Sequence, residues 1–554
     1  MSASQSNLSS TGFDYVVAVT QDSINATLEQ YLYSGLPEVV LCYIYDGDNP
    51  VPTDYATFVS QTNVDPFSVP GGVAVSDPRV QALNNAYFAF AIKAKLGLPP
   101  GIAPATLPPI VALQAGQSNV LYTLMFAEFI ATEIIFGRNG PETWFNQAQP
   151  SGTSWTFSGA VNLNFQSAAF DSLSAAAQAR LMGIGSPTEF SVQQLYYDLN
   201  SSDLEQGFQF SGVPSNSALN TFMTADFINT YWQALGGAEV LGYGAKQLSA
   251  TPPSSLAVTD LNFFTPAAVG TEGAPLTLNY LCATNNDALP STQNAGFGWN
   301  WIEPDEVSTY DGVAALNRNT FAPYLNAAIS SSGTLYDYVA SNCYSPWVQV
   351  TYVGGIELKV DYSWSMTPGQ APTITYPPSG PTILSYSYAS PEASDQAGLD
   401  GDAGKMDLSS TFDLTVSVAG NQMTIVQHLV VWTYVRYLAT PASGNIVDIQ
   451  ITDTYTLSVD DEGRIVASPP SSTTVNNSQT PGANGFLNFW ANVDTLAGSA
   501  TEWAQSIASG SLTDVPVSFV ENFIFPGNAA FAFSDVAFSA NQDLVSHIVY
   551  ADVS

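Results

Sequence analysis

Hydrophobic and polar residues alternate with a period of two along much of the chain. Trp155, Phe157, Gly159, Val161, Leu163 and Phe165 fall on one face, and Thr156, Ser158, Ala160, Asn162 and Asn164 on the other. Successive side chains of a strand point to opposite sides, so this segment reads as a half-buried strand of about 11 residues, about twice the common length. Ile356, Leu358, Val360, Tyr362, Trp364 and Met366 repeat the pattern, with Glu357, Lys359 and Asp361 opposite. Phe412, Leu414, Val416 and Val418 do so before a turn at Ala419-Gly420-Asn421. Ile449, Ile451, Tyr455, Leu457 and Val459 form a further strand, closed by Asp460-Asp461-Glu462-Gly463. Long antiparallel strands with one apolar face need a second layer to cover it.

Helical periodicity supplies candidates for that layer. Ile24, Leu28, Tyr31 and Leu32 form a stripe within Gln21–Ser34, with Asp22 as a cap and Gly35-Leu36-Pro37 as the stop. Phe227, Ile228, Tyr231, Trp232 and Leu235 mark a second helix, ending at Gly236-Gly237. The longest stripe runs from Phe486 to Ala508 through Trp490, Val493, Ala497, Ala500, Ala504 and Ile507. At 1.5 Å per residue it would span about 33 Å, which suits a spine wrapped by sheet and equally an amphipathic surface helix.

The segment Val19–Leu28 matches Leu316–Leu325 in pattern: a strand end, a polar cap, then a helix with an apolar stripe. Pro323 falls in the first turn of the second copy, where backbone N–H groups lack helical partners anyway. Two related halves follow as an expectation, residues 1–285 and 286–554, the second carrying the 486–508 helix. The polar stretch Ala283–Gln293 separates them. Leu98–Pro109, Tyr376–Pro381 and Ala389–Lys405 read as loops from their Pro, Gly, Ser and Asp content.

Charge narrows the function classes. The 554 residues include 47 acidic and 11 basic ones, for a net charge of −36. The few cations are scattered, so a phosphate backbone finds no clustered Lys and Arg, and nucleic acid is excluded as a partner. An anionic membrane surface would repel the molecule, and the charge serves chiefly to keep an aromatic-rich chain dispersed. Cys42, Cys282 and Cys343 are too few and too widely spaced for a zinc ribbon or a disulfide scaffold, and read as buried free thiols. The start, MSASQSNLSS, lacks an apolar core, so the expected location is cytoplasmic, or outside the cell without a classical signal peptide. The longest apolar run, Val120–Phe136, is interrupted by Glu128 and Glu133, so no transmembrane segment is expected.

Catalytic motifs are missing. His428 and His547 each sit in an apolar strand-like run and read as structural. No GxSxG elbow, P-loop, HExxH, or GxGxxG after a strand occurs. Asp400, Asp402 and Asp407 have the wrong spacing for an EF-hand and read as a solvated acidic loop. No cofactor, no metal and no enzymatic activity are expected.

Several segments together carry a resemblance. They are FDYVVAVTQDSINATLEQYL at the start, FSVQQLYYDLNSS at 190–202, FINTYWQALGGAEVLGY at 227–243, LTLNYLCATNNDALP at 276–290, FGWNWIEPDE, and the tail ENFIFPGNAAFAFSDVAFSANQDLVSHIVY at 521–550. In this order they resemble the clostridial P47 family of TULIP-type (tubular lipid-binding) proteins, over Phe13 to Tyr550. The resemblance implies an elongated α+β fold: long, highly curved antiparallel sheets wrapped around long helices, in two related halves. It implies binding, and possible transfer, of a lipid or other apolar small molecule, with proteins encoded nearby as further partners. It brings no catalytic residues. The chain departs from the family pattern in being more acidic, and longer around Pro368–Lys405, which counts against attraction to anionic headgroups.

The ligand-binding candidates are Trp155, Phe157, Gly159, Val161, Leu163 and Phe165, because a glycine within a strand marks a bend or a close approach. Two other functions stay open. One is a structural or toxin-accessory protein whose groove is filled by its own side chains. The other is a cofactor-free cyclase acting on an apolar small molecule, since preorganised electrostatics can catalyse without a recognisable motif.

Overall fold

A computed structural model of the chain describes residues 2–32, 37–173, 175–182, 190–208, 210–235, 240–249, 255–270, 273–327, 334–354, 359–398, 403–461, 463–479, 523–524 and 530–551. These residues form antiparallel sheets with short helices against them.

The central sheet runs Val258–Phe264, Thr277–Thr284, Tyr15–Thr20, Gly312–Leu316, Leu544–Ala551, Ala530–Phe533 in spatial order. It draws strands from the beginning, middle and end of the sequence. All of Tyr15–Thr20, Thr277–Thr284 and Gly312–Leu316 is buried. Both faces are covered, which is why YVVAVT reads as a continuous apolar run and not as an alternation. Val16, Ala18 and Val313 face a cluster with Phe13, Phe297, Trp299 and Trp301, while Tyr15, Val17 and Val19 face the main core.

The two copies of the repeated segment lie side by side here. Tyr15–Thr20 pairs antiparallel with Gly312–Leu316, Tyr15 opposite Leu316 and Val19 opposite Gly312. Each strand runs into its helix, Gln21–Leu32 and Arg318–Ala327. Thr20, not Asp22, caps the first: its Oγ1 accepts the Ser23 N–H at 3.2 Å. Asn317, at the matching position, accepts the Asn319 N–H at 2.9 Å. Because the strands are antiparallel, the helices leave opposite ends of the pair. Asn25 of the first exchanges hydrogen bonds with the backbone of Val111, and Asn326 of the second accepts from Tyr386.

The first flanking sheet has the order Phe523–Ile524, Val240–Gln247, Phe190–Gln206, Thr156–Ala168, Asn119–Gly137, Phe88–Leu96, Glu38–Asp46, Asn49–Thr53. Its register shifts at Tyr43/Ile44, Lys95/Leu96 and Ser158/Gly159. Such bulges sharpen the twist of a sheet, and this one curls. The second has the order Thr373–Thr375, Thr382–Ala389, Gly404–Ala419, Gln422–Tyr437, Thr440–Val459, Ile465–Ala467. Gln422–Tyr437 alternates buried and half-buried residues along its length after the exposed Gln422, and Gly420 takes φ +57° in the hairpin turn where the alternation predicts one. The ribbon Ser345–Gly354 with Lys359–Thr367 adds Val348, Val350 and Val360 to the same core.

Further expectations change. Ala389–Lys405 is not all loop: Ala393–Ala397 pairs with Gly404–Leu408. Asp407 is not solvated but 5% exposed, held by Ser394 Oγ at 2.5 Å and Lys405 Nζ at 2.7 Å. Asp400 and Asp402 lie outside the described residues, as do Ile356, Leu358 and the whole 486–508 helix with Trp490. Among the described residues the longest helix is Gln21–Leu32, of 12 residues, so the helices that cover the sheets there are short. None of the described helices is long and apolar enough to cross a membrane.

Candidate ligand-binding site

The inner face of the first flanking sheet is lined with aromatic rings, and two short helices fill its concavity. Ala218–Ala225 starts at Ser217, whose side chain accepts the Asn220 N–H, and turns Leu219, Phe222 and Met223 inward. This helix carries a readable cap and stripe that period-two reading passes over. Phe227–Ala234 follows, burying Phe227, Ile228, Tyr231 and Trp232 as its stripe requires. Phe222 meets Phe90 at 5.2 Å between centroids, Tyr231 meets Phe126 at 5.6 Å, and Trp232 meets Tyr122 at 5.6 Å. The Tyr231 hydroxyl accepts the Leu96 N–H at 3.2 Å.

Glu133 anchors this plug. It is 1% exposed, and its Oε1 accepts the Leu219 N–H at 2.9 Å, at the N-terminal turn of Ala218–Ala225. Burial pushes the carboxyl up to about 7, against the Leu219 N–H, which pulls it down. In the sequence Glu133 only interrupts an apolar run; nothing local marks it as a helix anchor.

The sequence candidates divide along their strand. Trp155 stacks on Phe208 at 4.2 Å, just before the strand Thr156–Ala168 begins. Phe157 packs against Phe227 at 4.9 Å, and Val161 is buried beside them. Gly159 sits at the register shift, opposite Tyr122 on one side and Leu204 on the other. This part of the face is protein core. Gly159→Leu is therefore expected to overpack it and cost about 1–3 kcal/mol, read by urea denaturation.

Leu163 and Phe165, farther along, reach an open cleft of about 580 Å³. It forms where the first flanking sheet meets the central one. Phe165 meets Phe263 edge-on at 5.3 Å, and Phe264 adds a third ring. Gln117, Asn119, Asn162, Asn164 and Asn262 surround these apolar groups with carboxamides. Asn119 and Asn162 are direct cross-strand partners, and Asn164 Nδ2 donates to Asp198 at 3.0 Å. No lining residue carries a formal charge. The cleft is thus mostly polar and uncharged, with a small apolar base at Leu163, Phe165, Phe263 and Phe264.

The cysteines and histidines lie away from this cleft. Cys42, Cys282 and Cys343 are buried free thiols, and burial pushes Cys42 and Cys343 up to about 12. His428 pairs with Asp448 at 2.8 Å, which holds that carboxyl below its usual range. His547 pairs with Asp535 at 2.8 Å and stacks on Tyr310. Among the described residues no group of three His, Cys, Asp or Glu is placed to hold a metal ion.

No protein-family model and no curated relative matches the chain. In structure it resembles P47 of Clostridium botulinum E1, at 11% identity over 97% of this chain and 98% of that one, with a TM-score of 0.45. It also resembles P47 from Clostridium botulinum A2, at 10% identity over 97% of each chain and a TM-score of 0.44. A lipopolysaccharide binding protein aligns at 9% identity over 97% of this chain and 99% of its own, with a TM-score of 0.25.

Proposed function

We propose that the chain is a non-catalytic binding protein for an apolar or amphipathic ligand of the lipid class, taken up at the Leu163–Phe165 cleft. The observation that carries this reading is the continuity of one strand face, which leaves the aromatic core and emerges in a cleft with an apolar base and an uncharged rim. Clefts of this size are typical of small-molecule sites. An acyl chain resting on Leu163, Phe165, Phe263 and Phe264 gains about 0.8 kcal/mol per buried CH₂ before losses of motion and ordering. The carboxamides suit a headgroup of hydroxyl, ester or amide character.

Native mass spectrometry of the purified chain, with organic extraction, tests the reading. An apolar molecule is expected to copurify, and a fluorescent fatty acid to bind saturably. Phe165→Asp should lower that uptake about tenfold, because a charge on the apolar base resists desolvation. Phe165 is half-buried, so the melting temperature should move by only a few degrees. Absence of both extractable ligand and saturable uptake overturns the proposal.

A second reading has its own support. Phe222, Phe227, Tyr231 and Trp232 fill the concavity of the sheet, as in a structural or accessory protein whose groove is closed by its own side chains. The same extraction separates the two.

A further inference from the structure

A second cleft, of about 590 Å³, opens at the Phe136 end of the strand Asn119–Gly137, the far end from the cleft that Asn119 lines. Tyr45, Tyr87 and Phe136 line it with rings, Asp48 with a carboxylate, and Asn84 and Asn85 with carboxamides. None of these residues belongs to the Leu163–Phe165 cleft, so the two sites stand or fall separately.

Tyr87 is the unusual member. Its φ is +59° and it is 68% exposed. It follows the C-terminus of the helix Pro78–Asn85, in the place where a left-handed residue commonly ends a helix. Glycine or asparagine fits there; a bulky side chain is strained. The backbone enforces the geometry. The Tyr87 N–H donates to Asn84 O at 3.0 Å, and its carbonyl accepts the Tyr45 N–H at 2.7 Å. Folding alone would be served better by glycine, and the ring lies mostly in solvent. Strain kept at an exposed residue is a mark of a functional position.

The remaining lining fits a definite chemistry. Phe136 is 43% exposed and meets Tyr45 edge-on at 5.5 Å. The glycine turn between Glu38–Asp46 and Asn49–Thr53 brings Asp48 to the same rim. No Lys or Arg lines the cleft, and the chain carries a net charge of −36. Rings attract cations through their negative faces, a carboxylate adds to this, and a strongly acidic molecule concentrates cations around itself. We propose that this cleft binds an organic cation with a quaternary ammonium group, held among Tyr45, Tyr87, Phe136 and Asp48, while Asn84 and Asn85 bond to the oxygens of the same ligand. Free choline and a choline lipid headgroup share that chemistry.

Calorimetric titration of the full chain with choline and tetramethylammonium tests the site, with 3,3-dimethylbutanol as the uncharged isostere and glucose as a neutral polyol. Both cations are expected to bind saturably and the isostere at least about tenfold more weakly, since only the cation interacts with the ring faces. Asp48→Asn should weaken choline several-fold. Tyr87→Gly should weaken it about tenfold while the melting temperature stays level or rises, a pairing that a purely structural tyrosine would not produce. Sedimentation with phosphatidylcholine vesicles, competed by free choline, assigns the lipid source; choline binding without sedimentation assigns a soluble one. Equal affinity for the isostere, binding of glucose alone, no saturable cation binding, or choline binding unchanged in Tyr87→Gly each overturns the proposal.

Discussion

Arg318→Ala is expected to lower the stability of the fold by about 3–5 kcal/mol, because it removes four charge-assisted hydrogen bonds and the cation that offsets the buried Asp543 carboxylate. Arg318 is 3% exposed in the first turn of Arg318–Ala327. Its guanidinium donates to the carbonyls of Pro377 at 2.7 Å, Thr382 at 2.8 Å and Gly380 at 3.0 Å, and to Gln542 Oε1 at 2.6 Å. Its own N–H donates to Asp543 Oδ1, and the other oxygen of that buried carboxylate accepts from Ser6 and Leu8. One side chain thus joins the central sheet, the turn leading into the second flanking sheet, and the tail of the chain. The Pro377 and Thr382 carbonyls belong to half-buried residues and lose charge-assisted donors in the variant. Arg318→Lys should recover only part of the loss, since an ammonium cannot span the carbonyls that a planar fork reaches. Chemical denaturation measures both variants. Limited proteolysis should show new cleavage between Tyr376 and Pro381. A loss below about 1 kcal/mol in Arg318→Ala would sink this account of the junction.

The second large effect is a pH dependence centred on Glu133. Its carboxyl titrates near 4.5 in the unfolded chain and near 7 in the folded one, because burial penalises the charge. Between those values the folded chain holds a proton that the unfolded chain has released, so stability falls as pH rises. The gap is worth about 3 kcal/mol, fully lost once the pH passes 7. The other carboxylates among the 47 acidic residues superimpose their own slopes, so the test is a difference. Glu133→Gln keeps an oxygen for the Leu219 N–H and has no charge to desolvate. It is expected to match the parent near pH 4.5 and to exceed its stability by about 3 kcal/mol at pH 8. Parallel pH profiles for the two proteins would show that Glu133 does not titrate in this window.

Elements whose signal is local can be read from the amino-acid order. Alternation over Trp155–Phe165, Phe412–Val418 and Ile449–Val459 marks strands that the structure contains, because a pleated backbone sends neighbouring side chains to opposite faces. The stripes at Gln21–Leu32 and Phe227–Ala234 are helices for the corresponding reason at a period of 3.6. The paired strand-helix segments and the buried free thiols were legible as well. The remaining features depend on contacts between distant segments. Neighbouring residues cannot show that Tyr15–Thr20 lies between Thr277–Thr284 and Gly312–Leu316, since backbone pairing has no sequence code of its own. Asp407 and Glu133 look like surface charges or interruptions until their partners arrive from Ser394 and Leu219. Along the candidate strand the periodicity identified one apolar face. Which part of it became core and which part reached a cleft depended on where two helices and a second sheet came to rest against it. Tyr45, Tyr87 and Phe136 are far apart in the chain and ordinary one by one. The strained backbone of Tyr87 and the exposure of its ring exist only once the fold has closed around them.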